Sequence, residues 1–231
     1  MCDQLEVLEK ELIACRRCPR LVAWREEVAQ TKRRAYQDET YWGKPVPGFG
    51  DPGAKILIVG LAPGAHGSNR TGRMFTGDAS GQFLYPALYR AGFANQPNAE
   101  SREDALRPQD VFITAICRCV PPKNRPLVAE IENCLPWLMA EVKLLTHLQG
   151  IVALGQIAFD GIRRMVKMRH IPLPKMTFGH NQYYTLGENL PWLLCSYHPS
   201  QQNTLTGRLT EAMFDAVWEK ARAMVNEGNG N

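Results

Sequence analysis

The sequence predicts a parallel α/β sandwich. Three observations carry this: four short, near-continuous apolar runs, helical patterns alternating with them, and polar loops at the ends of three of those runs. Lys55–Val59, Val111–Ile116, Ile151–Leu154 and Trp192–Ser196 are the runs. Unbroken apolar character over four to six residues suits strands covered on both faces, as in parallel sheets.

The elements follow in order. Gln4–Ala14 places Leu5, Leu8, Leu12 and Ile13 at helical spacing. Ser80–Ala91 carries Phe83, Leu84, Ala87 and Leu88 before Gly92 stops it. Val128–Leu148 reads as a long apolar helix that Pro136 kinks or splits. Ile157–Met168 and Leu209–Val225 complete the helices, and Gly228–Asn231 reads as a frayed tail. Strands alternating with helices define the class. With 231 residues and no internal repeat, one domain over 1–231 is expected.

Composition excludes several classes. Apolar residues form 45% and charged residues 22% of the chain, the balance of a globular protein and not of a disordered one. No run approaches bilayer length, so no membrane partner is expected. The first residues show no signal-peptide pattern, and an intracellular, cytoplasmic protein is expected. The net charge of +4 is mildly basic. Its distribution says more: Arg16, Arg17, Arg20, Arg25, Lys32, Arg33 and Arg34 crowd the first forty residues. Arg70, Arg73, Arg118, Lys123, Arg125 and Arg208 recur in Gly-, Pro- and Asn-rich loops, where phosphate contacts are expected.

In open parallel sheets ligands bind beyond the carboxyl ends of the strands. The first run leads into a glycine-rich stretch from Gly60 to Gly81, the second into Cys117–Pro126, and the fourth into Ser196–Asn203. One composite pocket from these three loops is the expectation. Gly60, Gly64 and Gly67 fit neither the phosphate-loop nor the dinucleotide spacing. Asp78 is the sole carboxylate of its stretch, and on its own it is equally a cap for the helix at Ser80. His198, in Tyr-His-Pro-Ser, is on its own better read as a structural histidine; Phe75 suits a core and Asn124 a turn. Their joint placement at strand ends makes them candidates.

Seven cysteines in an expected reducing compartment argue against disulfides. Cys15-Arg-Arg-Cys18 resembles half of a metal site, with Cys119 and Cys134 as the other half. Zinc and an iron–sulfur cubane both accept four thiolates, and the spacing does not choose between them. Cys195, and Cys117 with less force, read as buried free thiols.

Longer motifs now matter. Cys15-Arg-Arg-Cys-Pro-Arg-Leu-Val, Gly60-Leu-Ala-Pro-Gly-Ala-His-Gly-Ser-Asn-Arg-Thr-Gly-Arg, Phe75-Thr-Gly-Asp-Ala-Ser-Gly, Pro121-Pro-Lys-Asn and Tyr197-His-Pro-Ser occur in that order. In them the chain closely resembles the family 5 uracil-DNA glycosylases over nearly its whole length. The resemblance implies a three-layer α/β/α sandwich with a central four-stranded parallel sheet. It implies a [4Fe–4S] cluster on Cys15, Cys18, Cys119 and Cys134, with Cys117 spare. It implies excision of uracil and related deaminated bases from DNA by an enzyme expected to be monomeric. Asp78 and His198 become the expected catalytic residues. Leu61, Ala62, Gly64, Phe75, Asn124 and His198 become the expected base pocket, and Gln201, Gln202 and Asn203 a wedge into the duplex. Ala115 stands where related branches carry an asparagine, so a permissive pocket that also takes hypoxanthine is expected. The competing classes are a metal-bound nucleic-acid-binding module without catalysis, which has no need of Asp78 or His198, and a zinc hydrolase, which needs an open metal position.

Overall fold

A computed structural model describes residues 2–188 and 190–227; the predicted tail at Gly228–Asn231 lies outside them. The elements, in chain order, are α1 (Cys2–Ile13), α2 (Pro19–Thr31), β1 (Phe49–Gly50), β2 (Ile56–Gly60), α3 (Ser68–Thr71) and α4 (Ala79–Arg90). They continue with β3 (Val111–Ala115), α5 (Val128–Leu144), β4 (Gly150–Leu154), α6 (Gln156–Met168), β5 (Tyr183–Tyr184), β6 (Trp192–Ser196), α7 (Gln201–Leu205) and α8 (Glu211–Glu227).

The sheet order is β1-β3-β2-β4-β6-β5. Its four central strands are parallel, with Ile56 opposite Val111 and Gly150, and Ile151 opposite Leu193. These are the four predicted runs, shifted by a residue at most at either end. The edge strands β1 and β5 are antiparallel additions of two residues each. A two-residue strand has no period to read, which is why the expected four-stranded sheet has six strands.

Alternation explains why the central runs are apolar throughout. Ile56 and Ile58 face one layer with Val111, Ile113, Val152 and Leu194, under Leu84 and Leu88 of α4 and Phe214, Val217 and Trp218 of α8. Leu57 and Val59 face the opposite layer with Phe112, Ile151 and Leu193, under Leu135 and Leu138 of α5 and Phe159 and Ile162 of α6. Burying a side chain of this kind stabilises the fold by about 1.5–3 kcal/mol. The three-layer sandwich is the observed architecture.

Two helices depart from the expectation. α5 runs unbroken through Pro136 and ends at Leu144. α2 lies in the arginine-crowded stretch where no element is predicted, and it buries Leu21, Val22, Arg25 and Val28 on one face. Its arginines masked an ordinary amphipathic spacing. From β2 the chain steps to β3 through α4 on one face. It then crosses to β4 through α5 on the other, so a crevice opens at the carboxyl ends of β2 and β3.

Candidate active site

A cavity of about 540 Å³ occupies that crevice. Leu61, Ala62 and Gly64 line it from the loop after β2, Phe75 and Asp78 from the segment before α4, and Ala115 from the end of β3. Asn124 and His198 close it from the loops after β3 and β6. Every predicted pocket residue is therefore brought to one place. Ser68, Met74, Ser80 and Ser200 also line it and were missed, although all four lie in or beside the motifs quoted above.

Asp78 is both of the things its sequence suggested. It is the cap of α4, its side chain accepting from the Gly81 amide at 3.0 Å, and it faces the cavity. Burial raises its pKa; the Gly81 and Ser80 amides and the Arg70 guanidinium oppose that rise. Gly67 is required beside it, because a Cβ there would come within 2.1 Å of Asp78 Oδ2. His198 stands across the cavity. Burial holds its imidazole down to about 4, so it is neutral at physiological pH. Its carbonyl accepts from Asn203 Nδ2 at 2.8 Å, within a turn capped by Ser200.

Phe75 sits at φ 53°, a left-handed backbone that a bulky residue adopts at a cost of about 1–3 kcal/mol. Its ring stands 5.9 Å from that of His198. Asn124 ends a short turn, Pro122–Asn124, in which it and Lys123 both have positive φ. Its exposed amide reaches over the cavity mouth. Strained backbone at two lining residues points to a built site.

The cysteines converge as well. Cys18 caps α2, Cys119 follows β3 and Cys134 lies in α5. Burial raises the Cys18 thiol, and its neighbours Cys134 and Cys15 raise it further. Cys119 is pushed up to about 12 by burial, with Cys134 and Cys15 again adding to the rise and Arg25 opposing it. Hydrogen-bond donors point at the sulfurs: Arg25 at Cys119 (2.9 Å), the Arg118 amide at Cys134 (3.3 Å) and Asn133 at Cys18 (3.6 Å). Cys117 is buried and donates to Cys134, pulling that thiol down to about 7. Among the described residues no three His, Cys, Asp or Glu side chains are gathered as a site for a single metal ion. Four mutually interacting sulfurs ringed by N–H donors are a donor set that fits a thiolate-held cluster, whose negative charge such donors offset.

The arginines require a correction. Arg73 is buried against Asp104, Arg118 against Glu141, and Arg25 against Cys119; Arg20 pairs with Glu130 and Arg16 with Glu26. The buried Arg73, Arg118 and Arg25 hold the fold together and are unavailable to phosphates, whereas Arg16 and Arg20 keep much of their side chains exposed. Lys123, Arg125 and Arg208 remain exposed, the first two beside Asn124 in the loop after β3 and the third just after α7.

Comparison with known proteins bears on this arrangement. A family profile described as the uracil DNA glycosylase superfamily matches residues 47–222. The chain belongs to that superfamily. The match spans every loop that lines the cavity. A type-5 uracil-DNA glycosylase of Mycobacterium tuberculosis is 52% identical over 211 residues, 91% of this chain and 78% of that one. One of Thermus thermophilus is 51% identical over 221 residues, 95% and 97% of the two chains. A type-5 uracil-DNA glycosylase of Pyrobaculum aerophilum is 42% identical over 212 residues, 92% and 89%. Within the superfamily the chain falls in the type-5 branch.

Proposed function

We propose that this chain is a uracil-DNA glycosylase, hydrolysing the N-glycosidic bond of uracil in DNA and so initiating base excision repair. The observation that carries the reading is the convergence of Asp78, His198, Phe75 and Asn124 on one cavity sized for a base. A base inside a duplex is out of reach, so it must leave the stack at a cost of a few kcal/mol. Phe75 stacks on the flipped base, worth about 1–3 kcal/mol. Asn124 meets its Watson–Crick edge. As the C1′–N1 bond breaks, positive charge grows on the sugar and negative charge on the base. Asp78 stabilises the sugar cation and orients the water, whose oxygen bonds to C1′ as its proton passes to the Asp78 carboxylate. Neutral His198 donates a hydrogen bond to the developing oxyanion at O2, where one such donor is worth about 2.7–4 kcal/mol.

The wedge reading shifts by two residues. Asn203 is engaged with His198, whereas Leu205 at the end of α7 is 78% exposed. An apolar side chain on that turn suits insertion between base steps better than an amide does. Lys123, Arg125 and Arg208 supply the phosphate contacts. The enzyme acts as a monomeric single domain. Ala115 presents no hydrogen-bonding group to the base, and such a wall rejects other bases weakly; hypoxanthine is a secondary substrate.

Cys15, Cys18, Cys119 and Cys134 hold a [4Fe–4S] cluster in this reading. When bound, it supplies thiolate–iron bonds that cross-link the α1–α2 turn, the loop after β3 and α5.

Single-turnover release of uracil from a labelled duplex tests the proposal. Asp78→Asn should bind the duplex yet lose on the order of 10²–10⁴ in rate. An unchanged rate would reduce Asp78 to a helix cap and leave the non-catalytic binding module as the better reading. Ala115→Asn should abolish hypoxanthine release before it affects uracil.

A further inference from the structure

Outside the set of side chains that line the cavity, yet near enough to Asp78 to act on its charge, lies a guanidinium that the reaction as described does not use. Arg70, in the short helix α3, has a side chain only 10% exposed. Its Nε donates to the carbonyl of His66 at 2.8 Å and its Nη2 to the carbonyl of Gly77 at 3.2 Å. Those carbonyls belong to the two backbone segments that flank the carboxylate: the Gly64–Gly67 turn packed against Asp78 Oδ2, and the residue immediately before Asp78. Gly77 has φ 75°, and a Cβ on it would meet Arg70 Nη2 at 2.4 Å. The chain therefore carries glycine where the guanidinium needs to approach. Arg70 is itself fixed from outside. Its guanidinium carbon lies 4.0 Å over the Tyr36 ring, and Nη1 pairs with Glu39.

We propose that Arg70 is a positioning residue for Asp78: it clamps the two backbone segments on either side of the carboxylate and supplies the cation that keeps it charged inside a closed site. This rests on the reading of Asp78 given above and adds what sustains it. A carboxylate that must work ionised in a pocket closed over by a stacked base, with only the attacking water beside it, needs a compensating charge that does not block the reacting face. Arg70 meets this need because it reaches the carbonyls of His66 and Gly77 and does not line the cavity. Bidentate contact with two carbonyls also exploits the fork geometry that lysine lacks. The other titratable groups around Asp78 do not supply a cation: burial drives His66 and His198 towards neutrality, and it holds the Tyr85 phenol protonated. Glu39, on the far side of Arg70, offsets part of its charge.

The test reads the Asp78 carboxyl directly by carbon-13 NMR titration, alongside the pH profile of single-turnover uracil release and a melting curve for each variant. Asp78 is active as the anion, so its rate is lost as pH falls through its pKa. Removing the cation raises that pKa and moves the acid limb upward. Arg70→Gln should shift midpoint and limb together to higher pH, each tenfold loss of ionised Asp78 appearing as a displacement of about one pH unit. Arg70→Lys should return the midpoint towards wild type without restoring the rate, because one ammonium does not bridge both carbonyls. Glu39→Gln should move the midpoint the other way. A folded Arg70→Gln variant with an unmoved midpoint overturns the proposal, as does failure of Arg70→Lys to bring it back. Should Arg70→Gln not fold, an unmoved midpoint in Glu39→Gln overturns it instead. Loss of the uracil reading itself would show as a wild-type protein that releases no base, and the NMR titration would still report on Arg70.

Discussion

Asp78 and His198 both carry a titratable group whose charged form burial disfavours, although the Asp78 side chain also caps α4. Burial raises the Asp78 pKa, so the ionised carboxylate is less favourable in the fold than in the unfolded chain. Replacing it with asparagine keeps the shape and removes the desolvated charge. Asp78→Asn should therefore melt higher than the parent near neutral pH while losing activity, a stability–activity trade readable by calorimetry. His198 gives a pH signature of opposite origin. The unfolded chain binds a proton on this imidazole below its ordinary value of 6.5, whereas the fold refuses it until about 4. As pH falls through that window the unfolded state gains protons and the fold loses stability. Urea titrations across the window should show a shallower loss for His198→Gln than for the parent. Parallel curves would mean that the imidazole is not held neutral.

At the scale of elements, the loop after β3 serves both the cavity and the cysteines, and one buried ion pair holds it. Arg118 lies between Cys117 and Cys119, and its guanidinium is bidentate on Glu141 of α5. Thr114 Oγ1 of β3 adds a hydrogen bond to the same carboxylate at 2.8 Å. Both charged side chains are almost wholly buried. Breaking such a pair leaves a charge without compensation, at about 3–5 kcal/mol; replacing both partners by apolar side chains costs far less. Arg118→Met alone should thus be much less stable in urea than the double variant Arg118→Met with Glu141→Leu. If the two unfold at the same midpoint, the pair is not what ties β3 to α5.

For the whole molecule, the proposed cluster would tie together cysteines more than a hundred residues apart, Cys15 and Cys18 with Cys119 and Cys134. Cys15→Ser should lose iron and visible absorption and melt lower. Cys195→Ser, in the interior of β6, should keep its iron, because burial and not ligation explains that thiol. Iron retained in Cys15→Ser would remove that residue from the ligand set.

The apolar runs determined the class of fold from sequence alone, because a strand covered on both faces must be apolar throughout and few other structures demand that. The ordered motifs determined the family and the pocket residues, since Asp78, Phe75, Asn124 and His198 all lie in the segments that follow the carboxyl ends of β2, β3 and β6. What lay beyond the sequence was the fate of each charge. Arg70, Arg73 and Arg118 are indistinguishable in the chain from the exposed Arg125 and Arg208. Whether a guanidinium faces solvent or a carboxylate partner depends on Glu39, Asp104 and Glu141, which lie 23 to 31 residues away in sequence. The edge strands β1 and β5 depend likewise on partners supplied by β3 and β6. Local pattern fixes what a segment buries; long-range pairing alone decides which cation holds the fold and which is left for DNA.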